Sequence, residues 1–206
     1  MKLAVFDFDS TLMDGETIDF LAKELGLEEK VSLITEEAMS GRLDFFESLS
    51  TRVALLKGLE YNKVLSICKN LPLMPGALEL IPKLKEKGYK VVCFSGGFRT
   101  ATGPASKVLG LDADFSNILH EKNGILTGLV GGDMMFSSSK GDMINRLQGL
   151  MGISKENTLV CGDGANDVSM FKYADIRIAF CAREVLKKEA NIIIDTKDLT
   201  KILSSI

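Results

Sequence analysis

Histidine is almost absent from this sequence: His120 is the only one in 206 residues. That argues against a Ser-His-Asp triad, histidine phosphorylation and multi-histidine metal sites. His120 itself, beside the turn-like "EKNG", reads as a surface residue. Cysteine is scarce too. Cys68, Cys93, Cys161 and Cys181 form no C-x-x-C pair, which argues against zinc and dithiol chemistry. Cys93, Cys161 and Cys181 lie in or beside apolar, strand-like runs and read as small core residues. No apolar run approaches the ~18 residues of a membrane span. The N-terminal "LAVF" is too short for a signal-peptide core and is interrupted by Asp7. There is no basic block, and the net charge is −3, so neither nucleic acid nor membrane is an expected partner. What remains is a globular chain, 46% hydrophobic and 26% charged, long enough for one sizeable core plus a small second unit. Its expected location is the cytoplasm, as a monomer or homodimer.

Short apolar runs at Lys2–Phe6, Tyr89–Phe94, Thr158–Cys161, Arg177–Phe180 and Asn191–Ile194 read as strands. Helical patterns fill most gaps, including Ala77–Lys87, Gly141–Leu150 and Val168–Tyr173. This alternation predicts an α/β fold with a doubly wound parallel sheet. Runs around Ile118 and at Ile125–Val130 flank "KNG" and read as a hairpin. Residues 14–74 break the alternation. Ile18, Leu21, Ala22 and Leu25 share one helix face. Leu43, Phe46, Leu49, Ser50 and Val53 make a second stripe, and Val64, Ile67 and Cys68 suggest a third. Glycines punctuate these pieces, and Pro72 and Pro75 end them. The predicted organisation is a discontinuous core, 1–13 and 75–206, carrying an inserted helical cap at 14–74. Gly15 and the loop around Leu73–Gly76 are candidate hinges. Pro104 lies where a helix follows "SGGF", which predicts a helix start near Pro104.

In open α/β sheets, ligands sit beyond the carboxyl ends of the strands. Three polar clusters fall at such ends: Asp7-Phe8-Asp9-Ser10-Thr11, Ser95-Gly96-Gly97 and Gly162-Asp163-Gly164-Ala165-Asn166-Asp167. Asp7 and Asp9 are two apart and can share one pocket if the strand persists. Asp163 and Asp167, four apart, suit a loop followed by a helical turn; alone, they would read as helix caps. Four carboxylates near one point repel, and a hard cation such as Mg²⁺ relieves that. The glycines would let backbone N–H groups approach an anion, with Ser95 and Thr11 as hydroxyl donors. Lys140, near a helix N-terminus, is electrostatically misplaced unless an anion such as phosphate is beside it. A metal, a phosphate cradle and an aspartate nucleophile together describe phosphoryl transfer through an aspartyl-phosphate.

On "DFDST", "SGG", Lys140 and "GDGANDVSMF", the chain resembles the haloacid dehalogenase-like hydrolases, with the order and spacing of all four motifs kept over essentially the whole chain. The resemblance implies a Rossmann-like core with a helical cap. It also implies Mg²⁺-dependent hydrolysis of a small phosphate ester. In that reading Asp7 is the nucleophile and Asp9 the general acid, then base. Mg²⁺ is held by the Asp7 carboxylate, the Asp9 backbone carbonyl and Asp163, with Asp167 completing or orienting that shell. Ser95, Gly96 and Lys140 bind phosphoryl oxygens, and Asn166 lies near the phosphate. The cap positions that match the family's substrate contacts are Glu16, for an ammonium, and Arg52, for a carboxylate, with Phe45 and Met39 as apolar wall. Together they imply a phosphorylated amino acid, phosphoserine, as substrate.

Rival readings differ in class. "CFSGGFR" has the C-x5-R spacing of cysteine-dependent phosphatases, from Cys93 to Arg99. No histidine is nearby to lower the thiol's pKa, and the four aspartates would be left unexplained. A phosphomutase, a phosphatase of another small ester, or a non-enzymatic phosphate-binding regulator would share the cradle but differ in turnover.

Overall fold

A computed structural model describes all of residues 1–206. Its centre is a seven-stranded sheet in the order β4-β3-β2-β1-β5-β6-β7. The strands are β1 (Lys2–Phe6), β2 (Tyr89–Phe98), β3 (Ala113–Lys122), β4 (Ile125–Gly132), β5 (Thr158–Gly162), β6 (Ile176–Phe180) and β7 (Ile192–Ile194). All neighbours are parallel except β3 and β4, the predicted hairpin, so the sheet is mixed at one edge. The hairpin turns at Asn123-Gly124, both with positive φ, as a tight reversal requires.

Side chains of a strand alternate between faces, and both faces are covered here. In β1, Ala4 and Phe6 join the larger apolar core, whereas Leu3 and Val5 join the smaller one on the other face. That explains why β1 reads as an uninterrupted apolar run. The chain leaves β1 to one side through β2 and β3, and returns on the other through β5, β6 and β7. The reversal lies between β1 and β5, where a crevice opens at the strand ends. Phe6 is in register with Cys93 on one side and Cys161 on the other. The residues just beyond these three, Asp7, Ser95 and Asp163, therefore share one rim.

Five helices lie between β1 and β2, and the first four fall within residues 14–74: α1 (Thr17–Lys23), α2 (Glu28–Met39), α3 (Phe45–Leu55) and α4 (Tyr61–Lys69). They are followed by α5 (Ala77–Glu86), α6 (Arg99–Leu109), α7 (Ser139–Met151), α8 (Val168–Phe171) and α9 (Glu184–Lys187). The stripe expected on α3 is partly wrong, and α2 was not foreseen. The buried face of α3 is Phe45, Ser48, Leu49, Arg52 and Val53, while Phe46 is exposed. The inward face carries polar groups, so hydrophobic periodicity alone misplaces it. The helix α2 has no counterpart among the expected stripes, because Val31, Thr35, Ala38 and Met39 are all that it buries.

Pro104 does not start α6. The helix begins at Arg99, directly after β2, and Pro104 lies inside it. Pro82 sits likewise inside α5. Packing of Ala101, Thr102, Ser106 and Leu109 holds α6 in place despite the N–H donor that proline lacks. Where the chain enters and leaves the four-helix segment, the two linkers lie side by side: Asp14 N–H donates to Pro72 O and Met74 N–H to Leu12 O, each at 2.9 Å. The far end of the segment is tied to the hairpin by Gly58 N–H to Leu126 O, Leu126 N–H to Leu59 O, and Tyr61 N–H to Gly124 O. No helix is long and apolar enough to cross a membrane.

Candidate active site

At the end of β1 the chain does not continue as a strand. Residues Phe8–Leu12 form a single wide turn closed by Met13 N–H to Phe8 O at 2.9 Å. The turn throws Asp7 and Asp9 onto the rim. Asp7 Oδ1 accepts the Phe8 N–H at 2.7 Å and faces Lys140 Nζ at 2.6 Å. Its other oxygen is free of such partners. Asp9 Oδ1 accepts two hydrogen bonds from Thr17, from its N–H at 2.6 Å and its hydroxyl at 2.5 Å. Asp9 Oδ2 lies over Gly97, where a methyl group would come within 2.5 Å of it. Glycine there is a steric requirement, not a conformational one.

The loop after β5 brings the second pair. Asp167 Oδ2 accepts the N–H groups of Asp163 and Gly164, at 3.0 and 3.1 Å, and its Oδ1 accepts from Lys140 at 2.6 Å. Asp167 thus folds the loop and anchors the lysine. Lys140 is the second residue of α7, a position unfavourable for a cation. What reverses that preference is the pair Asp7 and Asp167; no phosphate is needed to explain it. Burial opposes its charge, yet Asp167 and Asp7 outweigh burial and hold the ammonium protonated above the usual range.

Asp7, Asp163 and Asp167 can place ligand oxygens within 4.8 Å of one another, all buried. The set is uniformly hard oxygen, and three carboxylates against one lysine leave excess negative charge. Burial, then Asp167, pushes the Asp7 carboxyl up to about 7 despite Lys140. Burial and Asp7 push Asp163 well above the carboxylate range. Such a cluster fits a hard divalent cation by charge and donor type. Burial likewise raises Asp9 above its ordinary value, which suits a proton donor.

One small cavity, about 30 Å³, is lined by nine of the twelve residues singled out by sequence: Asp7, Asp9, Glu16, Met39, Phe45, Arg52, Gly96, Asp163 and Asn166. Ser95, Lys140 and Asp167 lie behind that wall, bonded to members of it. Ser95 Oγ accepts the Gly97 N–H at 2.9 Å and reaches 3.5 Å from Asp9 Oδ2. Asn166 presents a buried amide oxygen with no partner. Thr11 is buried with its hydroxyl unpartnered and does not line the cavity.

The roof comes from α2 and α3. A methyl on Gly96 would meet Phe45 at 2.4 Å, and one on Gly164 would meet Met39 Sδ at 2.8 Å, so both side chains press on the strand-end loops. Arg52 is buried and donates to Ser48 O at 3.3 Å and to Thr35 Oγ1 at 2.9 Å. Glu16 faces the same cavity, its carboxyl raised to about 8 by burial first and Asp9 second. Outside the cavity lining, Glu36 of α2 pairs with Arg183, and Phe46 of α3 stacks on Phe136 with ring centroids 5.2 Å apart.

Sequence reasoning placed Ser10 in the first polar cluster without giving it a role, and missed Thr17 as a site residue, along with Ile18, Leu49 and Phe98 in the cavity wall. The position of Thr17 directly after Glu16 was the only signal available for it. Cys93 is fully buried on β2 with its thiol pushed well up by burial, which removes the cysteine-nucleophile alternative.

The family described as haloacid dehalogenase-like hydrolase matches residues 1–175. The phosphoserine phosphatase of Wolinella succinogenes is 64% identical over 204 residues, covering 99% of either chain. That of Campylobacter jejuni subsp. doylei is 53% identical over 206 residues, covering 100% of both. A solved phospho-aspartyl intermediate analogue of phosphoserine phosphatase superposes with a TM-score of 0.97 at 48% identity, covering 100% of this chain and 98% of the other.

Proposed function

This chain belongs to the haloacid dehalogenase-like hydrolases, and on that footing we propose that it is a phosphoserine phosphatase, hydrolysing O-phospho-L-serine to serine and phosphate, the last step of serine biosynthesis. The observation that carries the reading is one cavity walled at one end by Asp7, Asp9 and Asp163, and lined also by Glu16 and Arg52 from the four-helix segment. The first group suits a phosphoryl centre. The second suits an ammonium and a carboxylate.

Asp7 is the nucleophile. Its Oδ1 is held by Phe8 N–H and Lys140, so Oδ2 is the oxygen that attacks phosphorus. As the Asp7 O–P bond forms, the ester P–O bond breaks, and the serine oxygen takes a proton from Asp9. With Asp9 Oδ1 occupied by Thr17, that proton sits on Oδ2, on the Gly97 side. In the second step Asp9 Oδ2 takes a proton from water as the water oxygen attacks phosphorus, and the phospho-Asp7 bond breaks to free phosphate and the carboxylate. Lys140, Ser95, Gly96 and Asn166 bind phosphoryl oxygens. Mg²⁺ would be held by Asp7, Asp163, Asp167 and the Asp9 carbonyl. When bound, it supplies positive charge against the developing charge on the phosphoryl oxygens. The residues 14–74 act as a cap that excludes water, with Met39 and Phe45 as its apolar wall. Glu16 binds the ammonium and Arg52 the carboxylate.

A substrate panel tests this. Wild type turns over phosphoserine in preference to sugar phosphates, Asp7→Asn turns over nothing, and Arg52→Ala loses the phosphoserine preference. EDTA abolishes activity, while Cys93→Ser retains it. Full activity of Asp7→Asn would end the proposal.

A further inference from the structure

We propose that Ser10 is the positioning residue that sets the preference for the amino-acid end of the substrate by holding the Glu16 carboxylate, a role that rests on the reading of Glu16 as the ammonium partner. Ser10 is one of three non-glycine residues with positive φ, at 56°. An L side chain is disfavoured in that region, and glycine would fit the backbone better. What the serine provides is its hydroxyl, which donates to Glu16 Oε1 at 2.7 Å. No other hydrogen bond reaches that carboxylate, and no ion pair forms on it; the Arg52 guanidinium is engaged by Ser48 and Thr35. The Ser10 backbone closes the same loop, its N–H donating to Gly15 O at 2.8 Å.

The neighbouring pair does the same for the proton donor. Thr17 gives its N–H and hydroxyl to Asp9. Two consecutive residues leaving β1, Asp9 and Ser10, therefore grip two consecutive residues entering α1, Thr17 and Glu16. The spacing between the proton donor and the ammonium anchor is set by this double strap at the exit of β1, not by how far the roof of α2 and α3 has closed. In phosphoserine, the ester oxygen and the ammonium nitrogen are separated by a short run of bonds. A fixed spacing selects that run and disfavours an ester that lacks the ammonium, which would leave Glu16 in the cavity without a partner.

The test compares Ser10→Ala and Ser10→Gly. Both remove the hydroxyl, but only glycine relieves the backbone at positive φ. The readout is the ratio of kcat/KM for O-phosphoserine to kcat/KM for its deamino analogue, the phosphate monoester of 3-hydroxypropanoate. Thermal unfolding of each variant is measured beside it. The expected result is a fall of this ratio by about tenfold in both variants, carried mainly by the KM of phosphoserine, with Ser10→Gly the more stable of the two. An unchanged ratio in both variants overturns the inference. So does a ratio that falls only in Ser10→Ala, because backbone strain would then be the cause. If wild type shows no preference for phosphoserine over the deamino ester, it is the reading of Glu16 that fails. If wild type prefers phosphoserine and both variants keep the preference, only the role of Ser10 fails.

Discussion

Lys140 is held between Asp7 and Asp167 at 2.6 Å from each, with all three side chains buried. Removing one partner of a buried ion pair leaves an uncompensated charge and costs about 3–5 kcal/mol. Lys140→Met is expected to lose stability on that scale in urea unfolding and to lose turnover as well. Glu16 gives a pH dependence of definite sign. Its carboxyl is raised from 4.5 to about 8 by burial, then by Asp9. A carboxyl raised in the folded state stabilises fully below its unfolded value and loses that contribution as pH rises through its folded one. The ligand-free protein is therefore expected to lose Tm between roughly pH 5 and 8. With Glu16 as the proposed ammonium partner, phosphoserine is expected to bind at pH 7 with release of a proton, read by calorimetry in two buffers of different ionisation enthalpy. At this scale the sequence was informative wherever chemistry repeats a motif, as at Asp7, Asp9 and Asp163. It was silent on Thr17 and gave Ser10 no role, because their hydroxyls find partners only once a turn after β1 brings residues 9 and 10 against 16 and 17.

At the scale of elements, α3 shows how packing and function compete for one helix face. Its inward stripe carries Ser48 and Arg52 among apolar residues, so Phe46 is left outside, where it stacks on Phe136. The contact of Phe45 with Gly96 joins α3 to the end of β2. Gly96→Ala is expected to push the ring away, costing about 1–3 kcal/mol as overpacking does. It is also expected to raise the KM for phosphoserine at least several-fold. Adding Phe45→Ala restores the room, so the double variant recovers stability relative to Gly96→Ala alone; simple additivity of the two losses would contradict the contact. The central strands β1 and β5 were legible because both faces of the sheet are covered there, which makes each a nearly continuous apolar run. The start of α6 was not, because Pro104 is tolerated inside a helix fixed by its packing on the sheet.

For the molecule as a whole, closure and charge govern stability together. The cavity lies between the strand-end loops and the side chains of Met39, Phe45, Leu49 and Arg52 from α2 and α3, so the roof and the core share one site. The hairpin β3–β4 is tied by backbone hydrogen bonds to the α3–α4 junction, whereas α2 and the start of α3 are held to the core through the side chains of Glu36–Arg183 and Phe46–Phe136. The excess negative charge at Asp7, Asp163 and Asp167 predicts metal-linked stability. Mg²⁺ at a hundredfold excess over its Kd is expected to add about 2.7 kcal/mol, seen as a rise in Tm. The rise is expected to be larger at pH 8 than at pH 6, because protons compete for Asp7, whose carboxyl is held at about 7. A Tm indifferent to divalent cations would contradict the assignment of this cluster as a metal site.

The sequence by itself determined the alternation of strands and helices, and with it the rim where Asp7, Ser95 and Asp163 meet, since apolar runs and the residues just beyond them are local properties of the chain. Tertiary structure alone decided which oxygens of Asp7 and Asp9 are engaged, that Lys140 is compensated by Asp7 and Asp167, and that Asp9 and Ser10 at the rim are strapped to Thr17 and Glu16 at the start of α1. Those outcomes depend on distances between residues far apart or across a turn, and a pattern of residue types carries no distance.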